Sequence, residues 1–228
     1  RVEARRGRAA GGRVRCRGRA GCAGAFRGGS HRGIVARVSI IAAMDPRHFL
    51  FLMASSRRPG VVGNTEWLAR RAAASLEPEA TQTWIHLHGL NLAPFEDWRH
   101  DVGHYPMPEG DARVLLDATL AATDLVFVSP VYWYSVPAAL KLYLDHWSAW
   151  LRVPELDFKP RMAGKRLWVV VTSGNEAKAQ PMLQSYAHCA QFLSMAHDAA
   201  LWGPGGPPGT VAQDAAALAR AQGYFAAP

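Results

Sequence analysis

A chain of 228 residues, 49% hydrophobic and 19% charged, has the length for one sizeable α/β core and is short for two. Its formal charge of +8 hints at nucleic acid, but 11 arginines and only one acid, Glu3, fall in residues 1–43; the rest holds 15 basic and 17 acidic residues, near −2. The basic excess thus lies in a Gly/Arg/Ala-rich leader rather than on a structured face, and the longest apolar runs are far too short to cross a bilayer, so neither a nucleic-acid partner nor a membrane span is expected.

Residues 1–43 lack hydrophobic periodicity and carry nine of the 21 glycines, so they are expected to be disordered. The first methionine is Met44, directly before the first predicted strand. The leader therefore reads as upstream reading frame of GC-rich coding sequence, although its Arg-rich, acid-poor composition also fits a transit peptide; the domain is taken as 44–228. From Met44 on, apolar runs of strand length alternate with stretches of helical period, the pattern of repeated βαβ units. Strands are predicted over residues 49–54, 83–87, 124–129 and 166–172, with a weaker one near 198–202. Helices are predicted over 65–76, 112–123, 137–151, 181–196 and 210–225, with Pro137 and Pro181 where proline suits a first turn. Right-handed crossovers then favour a three-layer doubly wound α/β fold on a five-stranded parallel sheet. The long connection 91–111, with Pro94, Pro106 and Pro108 around Trp98 and Tyr105, is a candidate lid or dimer contact. Cys16 and Cys22 lie in the leader and Cys189 stands alone, so a reducing cytoplasm is expected.

Ligands of open parallel sheets bind outside the carboxyl ends of the strands, which directs attention to three segments. After the first strand, Ser55-Ser56-Arg57-Arg58-Pro59-Gly60-Val61-Val62-Gly63-Asn64-Thr65 opens a helix and reads as an anion cradle. Unpaired N–H groups at a helix start carry partial positive charge, and Ser, Asn and Thr add donors. No Gly-Lys-Ser/Thr follows, so a monophosphate suits the turn better than a nucleoside triphosphate. An ordinary N-cap at Asn64 or Thr65 would use the same residues. After the third strand, Pro130, Val131, Tyr132, Trp133, Tyr134, Ser135 and then Val136-Pro137 form a stiff loop that can offer ring faces to a planar ligand, or pack onto the sheet or a partner subunit. After the fourth strand, Thr172, Ser173, Gly174 and Asn175 can bring backbone close to a ligand, as any strand-to-helix turn can.

The order of elements, the Ser-Ser-Arg turn ending in Gly63-Asn64-Thr65 and the Pro-Val-Tyr-Trp-Tyr-Ser-Val-Pro loop resemble the NAD(P)H-dependent FMN reductases of the flavodoxin-like superfamily, over residues 48 to about 222. The resemblance implies a flavodoxin-like sheet of order 2-1-3-4-5. It also implies FMN as cofactor, its phosphate held by the turn that bears Ser55, Ser56, Arg57, Gly63, Asn64 and Thr65, and its isoalloxazine bordered by residues 130–135. Residues 172–175 would complete the pyrimidine side. NAD(P)H would deliver hydride, and a small-molecule acceptor such as a quinone or free flavin would receive the electrons, in a homodimer or homotetramer. The flavin carries such chemistry, so no catalytic acid or base is expected to be indispensable. A flavodoxin-type electron carrier is the alternative, against which the body's charge near −2 argues mildly. A third possibility is a flavin-free interaction domain.

Other constellations carry less. His86 and His88 share a strand face, and His100 and His104 are a helical turn apart, but neither pair has an acidic or cysteine partner at ligand spacing, so no metal site is expected. The run from Gly203 to Gly209 superficially suggests a dinucleotide loop, yet its prolines remove the N–H donors such a loop needs, and it is read as a turn.

Overall fold

The computed structural model describes residues 46–58 and 60–226, and the expected leader lies outside them. Four strands form close to where they are predicted: β1 (His48–Met53), β2 (Thr81–His86), β3 (Asp124–Pro130) and β4 (Arg166–Ser173). β5 (Ala196–His197) and β6 (Leu201–Pro204) follow. All pair in parallel in the order β2-β1-β3-β4-β5, with β6 also on β4. The doubly wound reading and the order 2-1-3-4-5 are borne out.

The helices are α1 (Asn64–Ala73), α2 (Gly110–Ala121), α3 (Ala138–Trp150), α4 (Phe158–Met162), α5 (Gln180–Phe192) and α6 (Ala215–Ala221). Side chains of a strand alternate between faces, and β1 shows the consequence. Phe49, Phe51 and Met53 pack under Leu68, Ala69 and Ala72 of α1 and Ala217 and Ala221 of α6, whereas Leu50 and Leu52 join Leu115 of α2, Leu140 and Tyr143 of α3 and Tyr186 of α5. Each such buried side chain contributes roughly 1.5–3 kcal/mol, which is how alternation becomes a three-layer fold.

Three expectations need correction. The single fifth strand over 198–202 is instead two short pieces flanking Asp198–Ala200, where the chain leaves the sheet. Asp198 accepts from Arg166 Nη1 at 2.7 Å, which draws it outward. The break leaves Val169 of β4, paired with Phe127 of β3 on one side, without a strand on the other, and the Tyr224 hydroxyl fills that gap, 3.3 Å from the Val169 nitrogen and 3.0 Å from its carbonyl oxygen. Burial pushes that phenol up to about 12, so it stays neutral. The last helix, expected over 210–225, is confined to α6. Asp214 caps its start by accepting from Ala217 N at 2.6 Å, and Gly223 at φ +75° closes the chain beyond its end. The short α4, around Pro160, is not foreseen, because five residues carry no helical period.

Candidate functional site

The strand order reverses between β1 and β3, and there the carboxyl ends of β1, β3 and β4 bring the three segments together. Ser55, Arg57, Gly63, Asn64 and Thr65 from the first, Pro130, Val131 and Tyr132 from the second, and Thr172, Ser173 and Gly174 from the third line one cleft of about 200 Å3. A second cleft of about 200 Å3, lined by Val131, Trp133, Tyr134, Ser173, Gly174 and Lys178, shares three of those residues. The Thr65 and Thr172 hydroxyls hydrogen-bond each other, tying the start of α1 to the end of β4.

The first cleft has the electrostatics of an anion site. Gly63 precedes α1 with no side-chain cap, and among the described residues the N–H groups of Asn64, Thr65 and Glu66 make no hydrogen bond. Those donors and the helix dipole point at the cleft. The Arg57 side chain lies across this helix start: a Cβ added at Gly63 would stand 2.9 Å from its Nε, so the glycine is what lets the arginine cross. One carboxylate, Glu66, also lines the cleft, but Arg70 neutralises it, with Nε and Nη2 at 2.9 and 2.7 Å from Glu66 Oε1.

Asn64 has a different task from the one its position suggests. Its Nδ2 donates to the carbonyls of Gly206 (3.2 Å) and Pro207 (2.9 Å), and its Oδ1 accepts from Gly209 N at 2.9 Å. The amide is therefore committed to the loop after β6, and only its backbone N–H is left to face the cleft. That loop supplies Gly205 and Gly206 as a wall the sequence reading missed. Gly205 N donates to Ser173 O at 2.7 Å, an approach that leaves a Cβ at 205 only 3.1 Å from Ser173 backbone. The discarded 203–209 run thus forms part of the cleft wall, held there by its hydrogen bonds to Asn64 and Ser173 and by close packing. A useful signal was available: like the other segments, it follows the carboxyl end of a strand.

The aromatic loop is a tight turn in which Ser135 N donates to Tyr132 O at 3.0 Å. Its two central residues, Trp133 (φ 51°) and Tyr134 (φ 61°), are both left-handed, a conformation that costs an L-residue about 1–2 kcal/mol and favours Asn-Gly. Trp133 is 94% exposed and Tyr134 54%. Strained backbone carrying exposed rings points to a site rather than to packing. Below it, Ser129 Oγ and the buried Tyr186 hydroxyl lie 2.7 Å apart, anchoring the end of β3; burial pushes the Tyr186 phenol above its ordinary range, so it remains neutral.

Of the remaining predicted residues, Ser56 and Ser135 line neither cleft. Asn175 lines neither as well: its side chain accepts from Lys178 N at 3.0 Å and caps the turn Glu176–Ala179. Among the described residues no cluster of His, Cys, Asp or Glu could hold a metal, and no helix is long and apolar enough to cross a membrane.

Residues 47–202 match the model of a family described by the flavodoxin-like fold. The chain belongs to that family. A protein of Bacillus subtilis (strain 168) named as an NAD(P)H-dependent FMN-containing oxidoreductase, YwqN, is 32% identical over 162 residues, which are 70% of this chain and 87% of the relative. The resemblance to NAD(P)H-dependent FMN reductases is thereby borne out at the level of family. The solved Trp repressor binding protein from Bacillus subtilis superposes with a TM-score of 0.58 at 25% identity, covering 77% of this chain and 96% of its own. An FMN-dependent NADH-azoreductase from Bacillus anthracis str. Ames Ancestor, solved in complex with FMN, shares the fold at a TM-score of 0.51 and 13% identity, over 78% of this chain and 95% of its own.

Proposed function

We propose that this protein is an FMN-dependent oxidoreductase that accepts hydride from NAD(P)H and reduces a small-molecule acceptor. The observation that carries this reading is the juxtaposition, where the sheet order reverses, of an uncapped helix start under Arg57 with a strained, ring-bearing turn. That arrangement fits a ligand with a phosphate at one end and a planar ring at the other. Arg57, Ser55, Thr65 and the first N–H groups of α1 bind the phosphate. Thr172, Ser173 and Gly174 border the polar edge of the ring, and Tyr132, Trp133 and Tyr134 shape the space where substrates stack. FMN, when bound, supplies a ring that takes up hydride and releases it to a second substrate. The protein's part is to bind, orient and exclude water, which agrees with a second cleft whose lining, among the described residues, carries no carboxylate and no histidine. We further propose a homodimer or homotetramer in the cytoplasm, because a 94% exposed tryptophan on a strained turn is suited to being covered by a neighbour or a ligand.

The test is the absorption spectrum after FMN addition, followed through anaerobic NADPH and then a quinone. Bleaching by NADPH and recovery with the quinone, with multiple turnovers in steady state, is the expected result. Bound flavin that NAD(P)H does not reduce would favour the electron carrier instead, and a protein left colourless by FMN would sink both. Riboflavin lacks the phosphate and should bind roughly 10²- to 10⁶-fold more weakly, since two or three charge-assisted hydrogen bonds are lost at about 1.5–3 kcal/mol each.

A further inference from the structure

The second cleft has a chemistry of its own. It presents the rings of Trp133 and Tyr134, both exposed, and one cation, Lys178, and no carboxylate lines it. Among the described residues Lys178 makes no ion pair, and the neighbouring acid Glu176 lines a different groove, with Leu183 and His197. The backbone of the lysine is also held in place. Its backbone N–H donates to Asn175 Oδ1 at 3.0 Å, and its Nζ lies against Gly174, 3.6 Å from where a Cβ would stand there. Gly174 is one of the residues shared with the first cleft, so the ammonium sits at the edge of the space in which an acceptor would stack.

Exposed aromatic faces bind planar rings with little regard to substituent, whereas an unpaired ammonium beside them distinguishes ligands by charge. From this we infer the class of acceptor: a planar aromatic carrying an anionic substituent such as a sulfonate or carboxylate, its ring against Trp133 and Tyr134 and its charge at Lys178 Nζ. The inference rests on the functional reading above and deepens it. Reduction of a quinone of this kind consumes two electrons and two protons. Hydride from the nicotinamide brings both electrons and one proton, and water provides the other, so Lys178 binds and transfers nothing.

The test is calorimetric titration of the FMN-treated protein with anthraquinone-2-sulfonate and with the uncharged 2-(hydroxymethyl)anthraquinone, without nicotinamide and therefore without turnover. Lys178→Gln should lower the ratio of the two affinities, sulfonate over uncharged, by roughly three- to tenfold, the range of an exposed ion pair with good geometry. Lys178→Arg should restore it, added salt should erode the wild-type preference, and Trp133→Ala should weaken both ligands. An unaltered ratio in Lys178→Gln overturns the inference. So does a variant that loses affinity for NADP+ while keeping the quinone ratio, because the lysine would then serve the nucleotide. FMN binding is read separately from flavin fluorescence quenching: its failure counts against the functional reading, while the sulfonate preference still stands or falls with Lys178.

Discussion

Replacing Asn64 by alanine separates two roles that its position at the cleft confounds. The side chain is only 6% exposed together with its residue, and three hydrogen bonds of 2.9–3.2 Å join it to Gly206, Pro207 and Gly209. At a net contribution of about 1 kcal/mol each, their loss costs about 3 kcal/mol, and the loop's groups left without a partner add to this unless water reaches them. Urea unfolding of Asn64→Ala should therefore show an unfolding free energy lowered by that amount, read as a lower midpoint with little change in slope. The same loop holds Gly205 and Gly206 against the cleft, so affinity for FMN and for riboflavin should fall together. Asn64→Asp keeps the acceptor for Gly209 N, loses both donors and puts a carboxylate beside an anion site, so it should discriminate against FMN more than against riboflavin. Stability within about 0.5 kcal/mol of wild type, combined with a selective loss of FMN in Asn64→Ala, would refute the clamp and return the side chain to the phosphate.

Three further outcomes follow from features away from that clamp. Burial works to raise the Asp124 carboxyl, but hydrogen bonds from Arg47, Thr123 and Trp168 outweigh it and hold the group below the usual aspartate range. A folded pKa below the unfolded one contributes stability that is present at neutral pH and lost as pH falls through and below that range, so Asp124→Asn should flatten the acid limb of the stability curve; an acid limb with wild-type slope would contradict this. Trp133→Asn combined with Tyr134→Gly gives the turn the residues its geometry favours and should raise stability by up to about 1–2 kcal/mol per position while weakening ring binding, and thermal melts showing no gain would remove the strain argument. Light scattering of the FMN-bound protein should give two or four times the chain mass, and a single monomeric species at micromolar concentration would exclude the proposed assembly.

β1, β3 and β4 were legible because burial on both faces demands uninterrupted apolar runs, and Phe49–Met53 and Leu167–Val171 offer no competing pattern, whereas β2 lies at the sheet margin and keeps only Trp84 and Ile85 as apolar residues. The fifth was misread for the complementary reason: Asp198-Ala199-Ala200 is apolar enough to pass for strand, and what permits the break is Tyr224, a residue distant in sequence whose hydroxyl stands in for the missing neighbour. At the site, residue types that announce their chemistry were found, namely Arg57, the aromatic triplet and the small residues after β4. Glu66 and Lys178 were not, since a charged residue on a helix or turn looks solvent-facing until the fold places it. The division of labour between Ser55 and Ser56 depends on which way one strand-end residue points, and periodicity carries no information once the strand has ended.

The interruption between β5 and β6 also makes the two margins of the sheet unequal. A strand on an edge offers a row of unpaired N–H and C=O groups to any other extended chain, and a row of two residues followed by four, with the backbone turned away between them, is a poor template. β2, at the opposite margin, runs six residues without a break, and Thr81-Gln82-Thr83-Trp84-Ile85-His86 contains no proline, lysine or acid to discourage a guest. Growth of the sheet by a seventh strand, whether in assembly or in misassembly during folding, is therefore directed to the β2 side, the margin farther from the end of β4 and the Lys178 cleft.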